Sequence, residues 1–462
     1  MNNPKLIKKI NETWDNEIIP ALIDYIKIPN KSPNFDPDWE KNGYMYEALD
    51  LAVTWANKHR PDNSKIITHR NPGKTPLILL EIPGTLDGNI LMYGHLDKQP
   101  EMEGWSPGLS PWKPVMKNDK LYGRGAADDG YAMFASLASI NALIEQNIDL
   151  PRIVIMIEFS EESGSPDLPF YMKKCKKEIG TPDLVICLDS GAGDYKRFWT
   201  STSLRGLIGV NIRVDGLREG IHSGASGFIP STFRILRELL SRIEDEKTGE
   251  IVLKDLTANI PQHRINEVKK LVSVLGNNKI ENTFVAPSTP DPVEAWLRMT
   301  WRPALSVVGA DGLPSLKNAG NVLRPYTSLK LSIRIPPTVD QFTAQEAIKK
   351  ALLKNPPYGA KISLKFEEPA AGWNAPEMKK WLAKSIENAS NVCFGKSACS
   401  LGEGGTIPFM AMLGEEFPQA QFIITGVLGP NSNAHGPNEF LHIPYAKKLT
   451  SAIALIIKDF QA

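Results

Sequence analysis

Cysteine is scarce: Cys175, Cys187, Cys393 and Cys399 are the four in 462 residues, and their spacing fits no metal motif. That argues against a disulfide framework and for a reducing, cytoplasmic setting. Neither sign of charge is in excess, with 53 Lys+Arg against 52 Asp+Glu and a formal charge of +1. No basic surplus points to nucleic acid and no acidic surplus to disorder. The opening stretch, MNNPKLIKKINETWDNEIIPALIDYIKIP, is interrupted by charges throughout. It carries neither a signal-peptide core nor a membrane span, so no membrane partner is expected. Internal repeats and low-complexity tracts are missing as well. What remains, 42% hydrophobic and 23% charged residues, is the composition of a globular protein long enough for two domains.

The apolar patterning changes along the chain. Leu77–Ile82, Asn89–Gly94, Arg152–Phe159, Leu184–Leu188 and Gln421–Gly429 are short, nearly continuous apolar runs. They read as strands buried on both faces of an α/β sheet. Between them, Tyr131–Gln146 has helical spacing through Met133, Leu137, Ile140 and Ile144. From Ser203 the texture alternates. Leu204–Gly216, Ser328–Pro337 and Lys361–Glu368 fit strands with one wet face, separated by helices near Ser231–Ile243 and Ala344–Leu353. Lys247–Ala319 reads as an insertion in that part. The expected architecture is a discontinuous α/β catalytic domain over residues 1–202 and 370–462, with a largely parallel sheet flanked by helices. A smaller α+β lid or dimerisation domain, 203–369, interrupts it.

Polar side chains that bind metals follow the buried runs. His95-Leu96-Asp97 comes after Asn89–Gly94, Glu161-Glu162 after Arg152–Phe159, Asp189 after Leu184–Leu188, and His435 after Gln421–Gly429. Asp128-Asp129 follows a glycine turn and precedes a helix, where an N-cap is the ordinary use of an aspartate. Ligand sites in open α/β sheets gather at the carboxyl ends of the strands. If the runs are parallel neighbours, these acids converge, and they would repel one another unless a cation held them. Imidazole with carboxylate suits zinc and admits manganese or cobalt. Two histidines and about three carboxylates exceed one tetrahedral site but fill two sites that share a bridging carboxylate. Asp97, two residues beyond His95 on an extended segment, can hold its ring. Adjacent Glu161 and Glu162 cannot do one job, so one ligates while the other moves a proton.

Taken in order, GHLDKQP, GWSPGLSPW, LYGRGAADDG, EESGS, LDS and NAHGPNE resemble the co-catalytic zinc amidohydrolases and peptidases. That family includes aminoacylase, carboxypeptidase G, carnosinase-type dipeptidases and succinyl-diaminopimelate desuccinylase. The resemblance implies that His95 and His435 ligate one metal each and Asp128 bridges, with Glu162 and Asp189 completing the sites. It implies that Asp97 orients His95, that Glu161 is the general acid/base, and that the Asp128-Asp129 peptide is cis. In the lid part it implies His222 to polarise the scissile carbonyl, often across a dimer interface, and Asn321 and Arg334 to bind substrate. The GEGGTIP segment, with Gly404, Gly405 and Thr406, matches a substrate loop. One departure stands out: Gly130 occupies the place where the family usually has Lys.

These readings imply a hydrolase of amide bonds in small substrates with two Zn²⁺ per subunit, and a homodimer formed through the lid. Length, the lid insertion and EESGS favour a dipeptidase acting on peptides with a free C-terminal carboxylate. An N-acyl amino acid deacylase, such as the desuccinylase or acetylornithine deacetylase, is the alternative. A two-metal phosphoesterase would bring more His or Asn to the phosphate than a chain with 7 His offers. A metal-binding scaffold without activity would have no use for Glu161.

Overall fold

The computed structural model describes residues 2–276 and 284–461. Residues 277–283, part of the Lys247–Ala319 insertion, lie outside the described residues. The chain divides into two compact units. One comprises Met1–Ser201, Ala375–Leu401 and Met412–Ala462; the other comprises Thr202–Asn374 and Gly402–Ala411.

The first unit is built on a mixed sheet. Its centre is four adjacent parallel strands in the order Pro151–Glu158, Leu86–His95, Leu184–Cys187 and Gln421–Ile424. These are the near-continuous apolar runs, and their central residues are buried. Antiparallel strands extend the sheet on both sides, Leu77–Ile82 and Lys65–His69 beyond Pro151–Glu158, and Trp199–Leu204 beyond Gln421–Ile424. The parallel character is thus confined to the middle, where the helix Ala132–Ile144 packs on Leu86–His95 and Pro151–Glu158. The helix Ala132–Ile144 is buried at nearly every position, which explains its lack of a polar side. The C-terminal helix Ile443–Lys458 packs against it and against Lys380–Phe394. Trp14, in the N-terminal helical segment, donates its indole N–H to Thr450 Oγ1 at 3.0 Å.

The second unit holds a four-stranded antiparallel sheet in the order Ala304–Asp311, Tyr326–Ile335, Gly206–Asp215 and Lys361–Phe366. Alternation assigns the faces: Ile208, Val210, Ile212 and Val214 join Leu329, Leu331, Ile333 and Ile335 in one core. Helices Thr232–Leu240 and Gln341–Leu353 close it through Ile235, Leu236, Leu239, Ala344, Ile348 and Leu352. Both helices start on side-chain caps, Ser231 accepting from Arg234 N–H and Asp340 from Thr343 N–H. Gly402–Ala411 clusters here because Gly404 O and Thr406 Oγ1 bond to Arg205 and Arg334.

Candidate active site

The four parallel strands end in register. His95 lies opposite Glu158, Tyr93 opposite Cys187 and Cys187 opposite Ile424. The segments that leave these ends therefore start side by side, and they carry the acids and histidines of the sequence reading. The loop before Ala132–Ile144 adds Asp128, with a cis peptide bond to Asp129.

Asp128 lies between the two imidazoles. Its Oδ1 is 3.4 Å from His95 Nε2 and its Oδ2 is 3.0 Å from His435 Nε2. Asp189 Oδ2 approaches His95 Nε2 at 3.7 Å, and Glu162 Oε2 approaches His435 Nε2 at 3.2 Å. Two ligand sets result, His95–Asp128–Asp189 and Asp128–Glu162–His435, each with its donor atoms within 4.8 Å of one another. Asp128 is common to both. His95, Asp128 and Asp189 are buried, while His435 is 57% exposed and forms the open side of the cluster.

Two observations test whether cations fit. His95 Nε2, Asp128 Oδ2 and Glu162 Oε1 are buried and have no hydrogen-bond partner, which leaves polar atoms of both ligand sets unsatisfied. The charges also conflict. Burial pushes the Asp189 carboxyl up to about 8, with the charges of Asp128 and Glu162 adding to the rise against the pull of His95. Burial raises Glu162 too, and Asp128 adds to it. Burial opposes a charge on His435, yet Asp128 and Glu162 outweigh it and push the ring up to about 11. Concentrated carboxylates with orphaned lone pairs are what a divalent cation resolves. The donor set, imidazole and carboxylate without thiolate, fits such ions.

Asp97 does more than its spacing implied. Its Oδ1 lies 3.3 Å from His95 Nδ1, and its carboxylate accepts the backbone N–H of both Glu161 (3.1 Å) and Glu162 (3.0 Å). One buried side chain thus fixes an imidazole and the turn bearing both glutamates. Glu161 Oε2 stands 4.0 Å from His95 Nε2, beside the ligands. Burial raises its proton affinity well above the ordinary carboxylate range, and Asp189 adds to this.

Several contributors were not singled out on sequence. Gln99 donates to Glu162 Oε2 at 2.5 Å, which aims that carboxylate. Asp129, a candidate on sequence together with Asp128, is fully buried and accepts the His95 N–H at 3.3 Å instead of joining either ligand set. Glu158 collects the hydroxyls of Tyr93, Ser160 and Ser165, so it grips both ends of the turn carrying Glu161 and Glu162. Lys98 is buried and donates to Tyr25 O and Ile28 O at 2.7 Å each, tying the segment after His95 to the end of the Ile19–Ile26 helix.

Gly130, the departure noted in the sequence, has a steric reason. A Cβ there would lie 2.3 Å from Tyr25 Cε1 and 2.4 Å from Gly125 O. No side chain fits without moving backbone. Gly130→Ala is expected to destabilise the fold by about 1–3 kcal/mol. Thermal melts would show this as a Tm several degrees lower, and an unchanged Tm would contradict it.

The second unit contains the remaining residues named on sequence. His222 is exposed, and its Nδ1 accepts from Gly224 N–H at 3.0 Å. It pairs with Val322, next to exposed Asn321, whose carbonyl accepts from Ser223 N–H. Arg334 Nη1 donates to Thr406 Oγ1 at 2.9 Å, and no ion pair engages it among the described residues. Gly404 O accepts from Arg205 Nε at 3.2 Å, and Gly405 is exposed.

The chain is similar to known proteins over most of its length. The profile of peptidase family M20/M25/M40 matches residues 91–459. The Cys-Gly metallodipeptidase dug1 of Schizosaccharomyces pombe is 26% identical, over 96% of this chain and 95% of that protein. The cysteinylglycine-S-conjugate dipeptidase of Corynebacterium striatum is also 26% identical, over 78% of this chain and 79% of its own. In fold, human carnosine dipeptidase 1 superposes with a TM-score of 0.76 at 20% identity, covering 99% of both chains. A family match that takes in every proposed metal ligand leaves one conclusion: this chain belongs to peptidase family M20/M25/M40 and is a metal-dependent peptidase.

Proposed function

We propose that the protein is a dipeptidase that hydrolyses the amide bond of short peptides with a free C-terminal carboxylate, using two Zn²⁺ per subunit. The observation that carries this reading is Asp128, with one oxygen toward each of two imidazoles. When bound, a pair of divalent cations supplies Lewis-acid polarisation and a water of lowered pKa. His95, Asp128 and Asp189 would hold one ion, and Asp128, Glu162 and His435 the other.

The chain's own residues do the rest. Glu161 takes a proton from the attacking water as its oxygen bonds to the carbonyl carbon. It then returns that proton to the amine nitrogen as the C–N bond breaks. Asp97 keeps Glu161 in reach by holding its backbone. His222 accepts at Nδ1, so the neutral ring carries its proton on Nε2 and can donate to a developing oxyanion. Arg334, half-buried and without a carboxylate partner among the described residues, is assigned to the substrate carboxylate, with Thr406 setting its direction. Asn321 and the amides of Gly404 and Gly405 would line the same substrate.

The subunit is proposed to pair through the second unit. Ala304–Asp311 is an edge strand there, with exposed Val307 and Val308. Cys175, Cys187, Cys393 and Cys399 form no disulfide among the described residues, which favours the cytoplasm.

Competing hydrolysis of a dipeptide panel and of N-succinyl and N-acetyl amino acids tests the substrate class. Dipeptides are expected to be preferred, and preference for the acyl amino acids would replace this reading by a deacylase. Arg334→Ala is expected to raise KM for dipeptides by about 10–100-fold, the loss of one charge-assisted contact of about 1.5–3 kcal/mol, and to leave C-terminally amidated peptides little affected. Equal effects on both would remove the carboxylate assignment.

A further inference from the structure

We propose that Glu439, with Arg124, is a positioning pair that fixes the Asp128 loop against the His435 loop and thereby sets the bridging carboxylate. The inference rests on the two-metal reading above. Both side chains are buried, Arg124 at 1% and Glu439 at 0% exposure. Glu439 Oε1 accepts three amides of the loop, those of Gly125 (3.0 Å), Ala127 (3.2 Å) and Asp128 itself (3.4 Å). Its Oε2 accepts Arg124 Nη1 at 2.7 Å.

Arg124 carries the connection onward. Its Nη2 donates to Gly436 O at 2.8 Å, one residue past His435, and its Nε donates to Pro100 O at 3.1 Å. The backbone closes the same junction, with Gly123 N–H donating to Glu439 O at 3.1 Å. One fork-shaped cation on the Asp128 segment therefore touches the two segments that lead from His95 and His435. A lysine, a point donor on a flexible stem, cannot span them in this way.

Stability alone does not account for the pair. A buried ion pair is often no better than apolar residues of the same volume, because both charges lose their water. What it supplies here is direction. Metal ligands must be placed to within about 0.2 Å. Apart from Arg124, the segment leading to Asp128 consists of Gly123, Gly125, Ala126 and Ala127, so it has no other large side chain to pack it in place. Glu439 replaces that packing with hydrogen bonds.

Zinc affinity of the full-length chain, read by competition with a chelating indicator alongside thermal melts, tests the proposal. Glu439→Gln sets an amide NH₂ against either Arg124 or the loop amides, and Arg124→Lys loses the fork. Both are expected to bind Zn²⁺ about 10–100-fold more weakly. Ile453→Ala, a core truncation in the C-terminal helix, is expected to lower Tm yet bind as the wild type does. Wild-type affinity in either pair variant, or an equal loss in Ile453→Ala, would overturn the proposal. If Glu439→Gln does not fold, Arg124→Lys decides alone. A wild-type chain that takes up no zinc defeats the two-metal reading itself, whereas normal zinc binding in wild type and pair variants alike defeats only this inference.

Discussion

Glu161→Gln is expected to lower kcat by at least about 10²–10⁴-fold, the usual contribution of a positioned general base. Fold, metal content and KM should stay close to those of the unaltered chain. The amide has the same shape and removes only the carboxylate that carries the proton. Glu161 belongs to neither ligand set, and its place depends on a backbone N–H held by Asp97, which the substitution does not touch. Glu162→Gln provides the contrast. That change removes a ligand beside His435, so it should lower metal content together with turnover. Equal metal loss in both variants would mean that the two glutamates do not divide the work. Near-normal turnover in Glu161→Gln would remove it as the base.

Asp128→Asn is expected to weaken both metal sites at once, by more than about 100-fold, because even residues that only support a ligand are worth 10–100-fold in affinity. Asp189→Asn should weaken one site and leave the other, since Asp189 approaches His95 only. The asymmetry follows from a single side chain offering one oxygen to each histidine. Zinc titrations of the two variants, followed by a chelating indicator, check it. Loss of a single site in Asp128→Asn would contradict the shared role.

Much of the metal cluster is legible in the sequence because buried strands advertise themselves. Continuous apolar runs mark the four parallel strands, and the acids and histidines directly after them fall at one sheet edge. The choice between Asp128 and Asp129 is not legible in spacing, since both follow the same glycine turn. The structure separates them by contact: Asp128 meets both imidazoles, while Asp129 turns to the His95 amide.

Support through backbone amides is harder to read. Asp97 binding the amides of Glu161 and Glu162, or Glu439 binding those around Asp128, leaves no periodicity and no pairing signal. Glu439 and Arg124 lie 315 residues apart in the chain. The strand Ala304–Asp311 is hidden in the insertion for a related reason. It is an edge strand with mostly exposed or half-buried residues, so its apolar positions do not alternate. By contrast, Gly206–Asp215 and Tyr326–Ile335 alternate because one face is covered by helices and the other is not.

Anomalous diffraction at the zinc edge from crystals equilibrated with Zn²⁺ tests the central claim most directly. Two peaks are predicted, one among His95, Asp128 and Asp189 and one among Asp128, Glu162 and His435. A map with no peak at these side chains, or with a lone ion that Asp128 does not contact, would contradict the account.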